Sequence, residues 1–252
     1  MNERHAIVSP SMHSTETSPR STVPSKGGVF FPKGLEIGYR SLRRPPTRVA
    51  SFESEICLGP GHYLLLARNG SGKTTLLRTL GSLTPPLNGA FRIDGRLLHF
   101  RDDLTFDAGH KPREILRALL DHDSFKTSLS FADELELPLG RDYATLSRGN
   151  RQKLVAVLGE AAAANQEGGC VLLFDEPLSG LDFVARDLVR SWWRERKEGV
   201  CRIVSHHPDD AALEADAALV IRENSVGLVD SKDGFLDWSG LRRSLFTTRS
   251  EA

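Results

Sequence analysis

Nearly uninterrupted apolar runs are the clearest feature of this chain. Residues 63–66, 170–174 and 200–204 are four or five residues long and almost wholly apolar. Such runs are typical of strands that are covered on both faces, as in a parallel sheet. We therefore predict three central strands at these positions.

Weaker patterns predict further strands and helices before, between and after these runs. Shorter strands are predicted at residues 35–39, 49–58, 90–96, 219–221 and 226–229. Apolar side chains recur at helical spacing in residues 76–80, 113–120 and 151–158. Strands that alternate with helices predict an α/β fold with a mainly parallel sheet.

The folded domain is predicted to span residues 30–230. Residues 9–25 are mostly Ser, Thr and Pro, which bury too little apolar surface to offset the entropy of ordering. Residues 1–29 are therefore predicted to be a disordered tail, and residues 231–252 a C-terminal extension.

Composition narrows the possible partners. Lys plus Arg and Asp plus Glu number 33 each, so the net charge is zero and no nucleic-acid partner is expected. Cys57, Cys170 and Cys201 lie in or beside apolar stretches and are predicted to be buried, reduced thiols of a cytosolic protein. No apolar run approaches the roughly 18–20 residues of a membrane span. A protein of this kind that works at a membrane needs another chain to cross it.

A glycine-rich stretch between the first central strand and a helix predicts a phosphate-binding loop. Gly70 and Gly72 allow backbone conformations that turn several N–H groups towards one anion. Lys73 is expected to reach the β- and γ-phosphates of a nucleotide, and the Thr74 hydroxyl to bind Mg²⁺. Ala67 stands where the motif usually has its first glycine, a change that a negative φ would tolerate. The full stretch is Ala67-Arg68-Asn69-Gly70-Ser71-Gly72-Lys73-Thr74-Thr75.

Four further segments follow in an order that completes a family pattern. Taken together, residues 35–229 resemble the nucleotide-binding subunits of ABC transporters. Residues 69–75 are similar to the Walker A motif, residues 146–150 to the signature loop and residues 170–176 to Walker B. Residues 179–182 resemble the D-loop, and His206 stands where the switch histidine is expected. The resemblance implies a P-loop NTPase fold of ABC type, with an antiparallel β subdomain and a short helical subdomain at about residues 112–150.

The resemblance implies roles for the residues at the strand ends. Asp175 ends an apolar strand, where its carboxylate is placed to hold Mg²⁺. Glu176 resembles the catalytic base of the family, and His206 is expected to contact the γ-phosphate, with His207 as the competing neighbour. Tyr39 resembles the aromatic residue that stacks on adenine, and an ordinary tyrosine at a strand end is the alternative.

The resemblance gives other residues a role in nucleotide binding only in a dimer. Ser147 and Gly149 begin a helix and are expected to bind the γ-phosphate of a nucleotide held by the opposite protomer. The resemblance adds Asp182 of the D-loop to the nucleotide-binding set, which on the Walker A side comprises Asn69, Gly70, Ser71, Gly72, Lys73, Thr74 and Thr75. Arg148 and Asn150 depart from the common Leu-Ser-Gly-Gly-Gln form.

The glutamine of the family's Q-loop has no obvious counterpart. In the stretch Gly109-His110-Lys111-Pro112, Lys111 stands where that glutamine is expected. An ammonium group has donors and no acceptor, so it cannot ligate Mg²⁺. Coupling to a transporter is the function that this departure affects most.

The implied function is an ATP-binding and ATP-hydrolysing subunit of an ABC transporter, on the cytoplasmic face of a membrane. ATP and Mg²⁺ are the implied cofactors. The implied partners are an integral membrane subunit and a second ATPase subunit, identical or paralogous. Two alternatives are a soluble ABC-type ATPase that is not coupled to transport and a regulatory module that binds ATP without hydrolysing it. The first usually carries a coiled-coil insertion or a second nucleotide domain, and an ATPase assay separates the second.

Overall fold

The structure is a computed structural model that describes residues 26–41, 45–206, 214–231, 236–237, 240–241 and 245. The described strands are β1 (Gly28–Phe31), β2 (Glu36–Tyr39), β3 (Thr47–Phe52), β4 (Ile56–Leu58), β5 (Gly61–Ala67), β6 (Arg92–Asp94), β7 (Arg96–Phe100), β8 (Cys170–Phe174), β9 (Val200–Ser205), β10 (Ala217–Arg222) and β11 (Ser225–Asp230). The described α-helices are α1 (Lys73–Leu80), α2 (Pro112–Leu119), α3 (His122–Glu134), α4 (Arg148–Ala164) and α5 (Phe183–Glu195).

Within the described residues, eight strands form one sheet in the order β2-β3-β11-β10-β5-β9-β8-β7. The pairs β10–β5, β5–β9, β9–β8, β8–β7 and β11–β3 are parallel, whereas β10–β11 and β2–β3 are antiparallel. The predicted α/β fold with a mainly parallel sheet is therefore confirmed.

The central strands are apolar on both faces because both faces are covered. In β5, Leu64 and Leu66 pack into the core that also contains residues of α2, α3, α4 and α5. Leu65 and Ala67 point to the opposite core, which contains α1 and the small sheet. Successive side chains of a strand alternate between faces, so one unbroken run serves two cores.

The small sheet corrects three boundaries from the sequence. It is antiparallel with the order β4-β1-β6, and its strand β1 begins at Gly28, inside the predicted disordered tail. The single strand predicted at residues 49–58 is two strands in different sheets, β3 and β4. The strand predicted at residues 90–96 likewise divides at Gly95, which has a φ of 117° and separates β6 from β7.

The helical region between β7 and β8 contains more than the sequence predicted. Helix α2 was expected, but α3 was not, because its apolar residues are spaced among Ser, Thr and Asp. Asp121 caps α3 by accepting hydrogen bonds from the backbone N–H groups of Asp123 and Ser124. Both helices fall inside the predicted subdomain at residues 112–150.

The two chain ends lie largely outside the described residues. Residues 1–25 of the predicted tail lie outside the described residues, and so does His207. In the C-terminal extension, Leu236, Leu241 and Leu245 are buried and belong to the core beneath α4 and α5. Those three positions of the extension are therefore part of the folded domain.

Across the described segments, every helix is too short or too polar to span a bilayer. Cys170 and Cys201 are buried, as predicted, whereas Cys57 is only half-buried. Burial raises the pKa of the Cys170 thiol to about 11 and raises that of Cys201 as well, so both stay protonated at neutral pH.

Candidate functional site

The predicted phosphate loop connects the buried end of β5 to α1. Ala67 is 1% exposed and is not among the residues with positive φ. The loop turns at Ser71, whose backbone N–H donates to the carbonyl of Arg68 over 3.1 Å. Gly70 has a φ of 77°, which glycine adopts without steric cost. The residues therefore form the strand, turn and helix that the motif requires.

Gly72 is required for two separate reasons. It is the N-cap of α1 and has a φ of 109°. A Cβ atom at this position would lie 2.3 Å from Cγ1 of Val49 in β3. Any side chain would therefore strain the backbone and clash with the adjacent strand.

Lys73 is buried at the start of α1, with 8% of its surface exposed. Its Nζ atom donates to the carbonyl of Ala67 over 3.4 Å. Burial lowers the pKa of Lys73, while the nearby carboxylates of Glu176 and Asp175 raise it. A buried ammonium group held at the loop is suited to binding phosphate oxygens as a point charge.

Thr74 and Asp175 bring two oxygen atoms together at the edge of the sheet. The Thr74 hydroxyl donates to Oδ2 of Asp175 over 3.0 Å, and the hydroxyl of Ser205 donates to Oδ1 over 2.7 Å. A hydroxyl and a carboxylate are hard oxygen donors, the type that Mg²⁺ prefers. The residues present therefore fit a magnesium ion at this position.

Glu176 is held in an unusual backbone conformation. Its φ is 51°, a left-handed value that costs a non-glycine residue about 1–2 kcal/mol. Its backbone N–H donates to Oγ of Ser205 over 2.8 Å, and its carbonyl accepts from the N–H of Ser179 over 3.1 Å. Strain of this kind persists where surrounding contacts hold it, often at active sites.

Ser205 was missed by the sequence analysis. It ends β9, is 1% exposed, and joins the Asp175 carboxylate to the Glu176 backbone through one hydroxyl. The available signal was that Ser205 is the first polar residue after the run at 200–204. The next residue, His206, is 5% exposed and donates its backbone N–H to the carbonyl of Leu65 in β5 over 3.2 Å. His206 therefore lies at the same edge of the sheet as the phosphate loop.

Tyr39 reaches the other side of the phosphate loop from the end of β2. Its hydroxyl forms a hydrogen bond with the hydroxyl of Thr75, which is buried in α1. The residue is 49% exposed, so the ring has an accessible surface beside the loop. Its stacking on adenine stays a prediction.

The predicted signature loop and D-loop pack against each other. Ser147 caps α4 by accepting from the N–H of Asn150 over 3.2 Å. A Cβ atom on Gly149 would lie 2.8 Å from the carbonyl oxygen of Gly180, so the two backbones are in close contact. The guanidinium of Arg148 donates to Ser179 Oγ over 2.9 Å.

Asp182 ends the D-loop as the N-cap of α5. Its carboxylate accepts from the N–H of Ala185 over 2.8 Å, and this hydrogen bond lowers the pKa of Asp182.

A cavity of about 260 Å³ opens beside Thr74, and neither Ser147 nor Gly149 lines it. The structure brings Lys73, Thr74, Asp175, Glu176 and His206 to one sheet edge and does not add the signature residues to them.

The assignment of Lys111 to the Q-loop position is wrong. Lys111 is the exposed N-cap of α2, and its backbone N–H donates to Oε2 of Glu114 over 2.9 Å. The residue that leaves the sheet next to Asp175 is Arg101, which directly follows β7. Arg101 lines the cavity beside Thr74 and Asp175, and Lys111 does not.

Comparison with known proteins identifies the family of the chain. The family model described as ABC transporter matches residues 54–179, half of the chain. The chain belongs to the ABC transporter family. The predicted ABC-type fold, ATP binding and ATP hydrolysis coupled to transport by a separate membrane partner are thereby confirmed.

Curated relatives of this ABC subunit include proteins that are named for import. The aliphatic sulfonates import ATP-binding protein SsuB of Granulibacter bethesdensis is 32% identical over 177 residues, which cover 67% of this chain and 72% of that protein. The sulfate/thiosulfate import ATP-binding protein CysA 2 of Rhizobium meliloti is 28% identical over 233 residues, which cover 81% of this chain and 62% of that protein.

Solved structures show the same fold. A structure titled as the ATP binding subunit of an ABC transporter matches with a TM-score of 0.65 and 20% identity, covering 85% of this chain and 94% of that one. A bacterial Atm1-family ABC exporter with ATP bound matches with a TM-score of 0.68 and 17% identity, and the match covers 93% of this chain and 44% of that one.

Proposed function

We propose that this ABC subunit binds MgATP at the sheet edge defined by Lys73 and Asp175 and hydrolyses it with Glu176 as general base. The observation that carries the proposal is the shared Ser205 hydroxyl, which fixes the Asp175 carboxylate and the Glu176 backbone together beside the phosphate loop. A site built for metal and water needs those two carboxylates at a fixed spacing.

Each part of the loop has a defined task in binding. The phosphate loop, from Asn69 to Gly72, surrounds the phosphates with backbone N–H groups, and Lys73 neutralises the β- and γ-phosphates. Thr75 at the first turn of α1 and the ring of Tyr39 complete the nucleotide contacts. Thr74 and Asp175 would hold Mg²⁺, which supplies positive charge to the phosphate oxygens when bound.

Hydrolysis is an in-line attack by water. The water oxygen forms a bond to the γ-phosphorus while the bond to the β–γ bridging oxygen breaks, giving ADP and inorganic phosphate. Glu176 accepts the proton that the attacking water loses. His206 contacts the γ-phosphate from its position directly after β9, the strand adjacent to β5.

The nucleotide is bound between two subunits. Ser147, Gly149 and the N-terminus of α4 provide an anion site for the γ-phosphate held by the opposite protomer, and Asp182 lies at the junction between the two. The second subunit is another copy or a paralogue. Lys73 and Ser147 of one chain then serve different nucleotides.

The membrane partner is an integral transporter subunit, and this chain acts on its cytoplasmic face. The names of the relatives support import of sulfur-containing oxyanions such as sulfonates or sulfate. Vesicles that contain the partner would test this by ATP-dependent uptake of labelled sulfate or sulfonate.

Two substitutions test the assignment of binding and chemistry. Glu176→Gln should slow ATP hydrolysis by about 10²-fold or more without weakening ATP binding, because the amide keeps the shape and loses the basic oxygen. Lys73→Ala should abolish binding of a fluorescent ATP analogue. Glu198→Gln is the matched control, because Glu198 is exposed near the opposite end of β9. A Glu176→Gln enzyme as fast as the control would refute the role of Glu176.

A further inference from the structure

Arg101 lies beside the proposed nucleotide site, whereas Lys111, where the family resemblance led us to expect an amide, does not. The strands β7 and β8 are parallel, with Phe100 aligned to Phe174. The backbone N–H of Asp175 donates to the carbonyl of Phe100 over 2.9 Å. Arg101 and Asp175 therefore leave adjacent strands side by side.

The Arg101 side chain lines the cavity beside the proposed metal ligands. This cavity of about 260 Å³ has Thr74, Asp175 and Glu176 in its wall together with Arg101. The side chain of Arg101 is 42% exposed, so it is accessible from the cavity. A ligand that binds Thr74 and Asp175 through a metal lies within the same space.

Asp103 fixes the orientation of the guanidinium. Arg101 Nε lies 2.6 Å from Oδ1 of Asp103, and Nη2 lies 2.7 Å from Oδ2. A two-point pair of this kind sets the plane of the guanidinium as well as its distance. The Nη1 group is not part of the pair.

The chemistry of arginine differs from that of an amide at this position. A guanidinium group has donors only, so it cannot ligate a metal, but it binds phosphate oxygens through two parallel hydrogen bonds.

We propose that Arg101 is a phosphate-contacting residue that makes ATP binding at this site less dependent on Mg²⁺. The proposal rests on the proposed function, because it concerns the same nucleotide site. Arg101 adds a positive charge at the γ-phosphate to those of the cation and Lys73, and Asp103 is the positioning residue that orients it.

Equilibrium binding of a fluorescent ATP analogue, in saturating Mg²⁺ and in excess EDTA, tests the proposal. Arg101→Gln should weaken binding by about tenfold or more in EDTA, the effect expected for one charge-assisted hydrogen bond, and by less than about threefold in Mg²⁺. Asp103→Asn should change binding in the same sense, by a smaller factor. The variants should fold normally, because exposed ion pairs contribute little to stability.

Arg78→Gln is the matched control. Arg78 lines the same cavity from α1, one turn after Thr74, and carries the same charge. Its replacement should leave the ratio of the two affinities within about twofold of wild type, because Arg78 lies farther from the helix N-terminus.

Three results would overturn the proposal. Arg101→Gln could weaken binding equally in Mg²⁺ and EDTA, it could leave both affinities unchanged, or Arg78→Gln could shift the ratio as strongly. Wild-type protein that fails to bind ATP in Mg²⁺ would instead refute the proposed function, so the two failures are distinguishable.

Discussion

Removing the Ser205 hydroxyl should damage stability and catalysis together. The hydroxyl is fully enclosed and makes two hydrogen bonds, accepting from the Glu176 N–H over 2.8 Å and donating to Asp175 Oδ1 over 2.7 Å. A hydrogen bond to a charged group contributes about 1.5–3 kcal/mol, and an orphaned buried N–H costs about 1–3 kcal/mol. Because the two effects share one atom and are not fully additive, Ser205→Ala should lower the free energy of unfolding by about 2–4 kcal/mol.

The same change should slow ATP hydrolysis. Glu176 keeps its φ of 51° only while its backbone is held, so losing the Ser205 contact allows its carboxylate to move. A displacement of about 1 Å can cost 10²-fold in rate, and we expect kcat to fall by at least about tenfold.

Urea unfolding and steady-state ATPase rates measure the two effects. Ser128→Ala is the matched control, because Ser128 is also fully buried but donates only to the carbonyl of Phe125 within α3. It should cost about 1 kcal/mol and leave kcat unchanged. If Ser205→Ala proves no more destabilising than Ser128→Ala and keeps wild-type kcat, the reasoning about this hydroxyl is refuted.

Three further changes test other contacts. Gly72→Ala should abolish ATP-analogue binding, because the added Cβ would lie 2.3 Å from Val49 Cγ1 at a φ of 109°; binding within about twofold of wild type would contradict this. Glu160→Ala should cost about 3–5 kcal/mol in urea unfolding, because Arg202 is 1% exposed and its Nη2 lies 2.6 Å from Glu160 Oε2; the double change Glu160→Leu with Arg202→Met should recover most of that loss. Burial lowers the pKa of His62 from 6.5 to about 3. Between these two pH values the unfolded chain binds a proton at His62 that the folded chain does not. The free energy of unfolding that is present above pH 6.5 is therefore lost as the pH falls towards 3. His62→Phe should flatten this dependence in unfolding titrations, and an unchanged pH slope would show that His62 is not its source.

The strands that position the site were predictable because their signals are local. The runs in β5, β8 and β9 are apolar on both faces, which requires a covered parallel sheet whatever the rest of the chain does. The carboxyl ends of parallel strands meet at one edge, so the proximity of Lys73 to Asp175 also followed from sequence.

Sheet membership was not predictable in the same way. Residues 49–58 were predicted to form one strand, yet Phe52 belongs to the large sheet and Ile56 to the small one. A propensity for strand describes the backbone and not its partner, and the partner is chosen by tertiary packing.

Arg101 was missed for a related reason. The assignment of Lys111 rested on a likeness of four residues, whereas the position beside Asp175 is defined by the pairing of β7 with β8. A residue that follows a strand takes its role from the neighbouring strand, which the local sequence does not specify.

ATP-dependent dimerisation tests the central claim most directly. In sedimentation experiments, the hydrolysis-blocked Glu176→Gln variant should be a dimer with MgATP and a monomer with MgADP or without nucleotide. The γ-phosphate makes the difference, because it is the group that the N-terminus of α4 would bind. Adding Ser147→Arg should abolish the dimer and leave the ATP affinity of the monomer nearly unchanged, because the phosphate loop is untouched. A Glu176→Gln protein that stays monomeric with saturating MgATP, or a Ser147→Arg derivative that dimerises as well as its parent, would contradict the account.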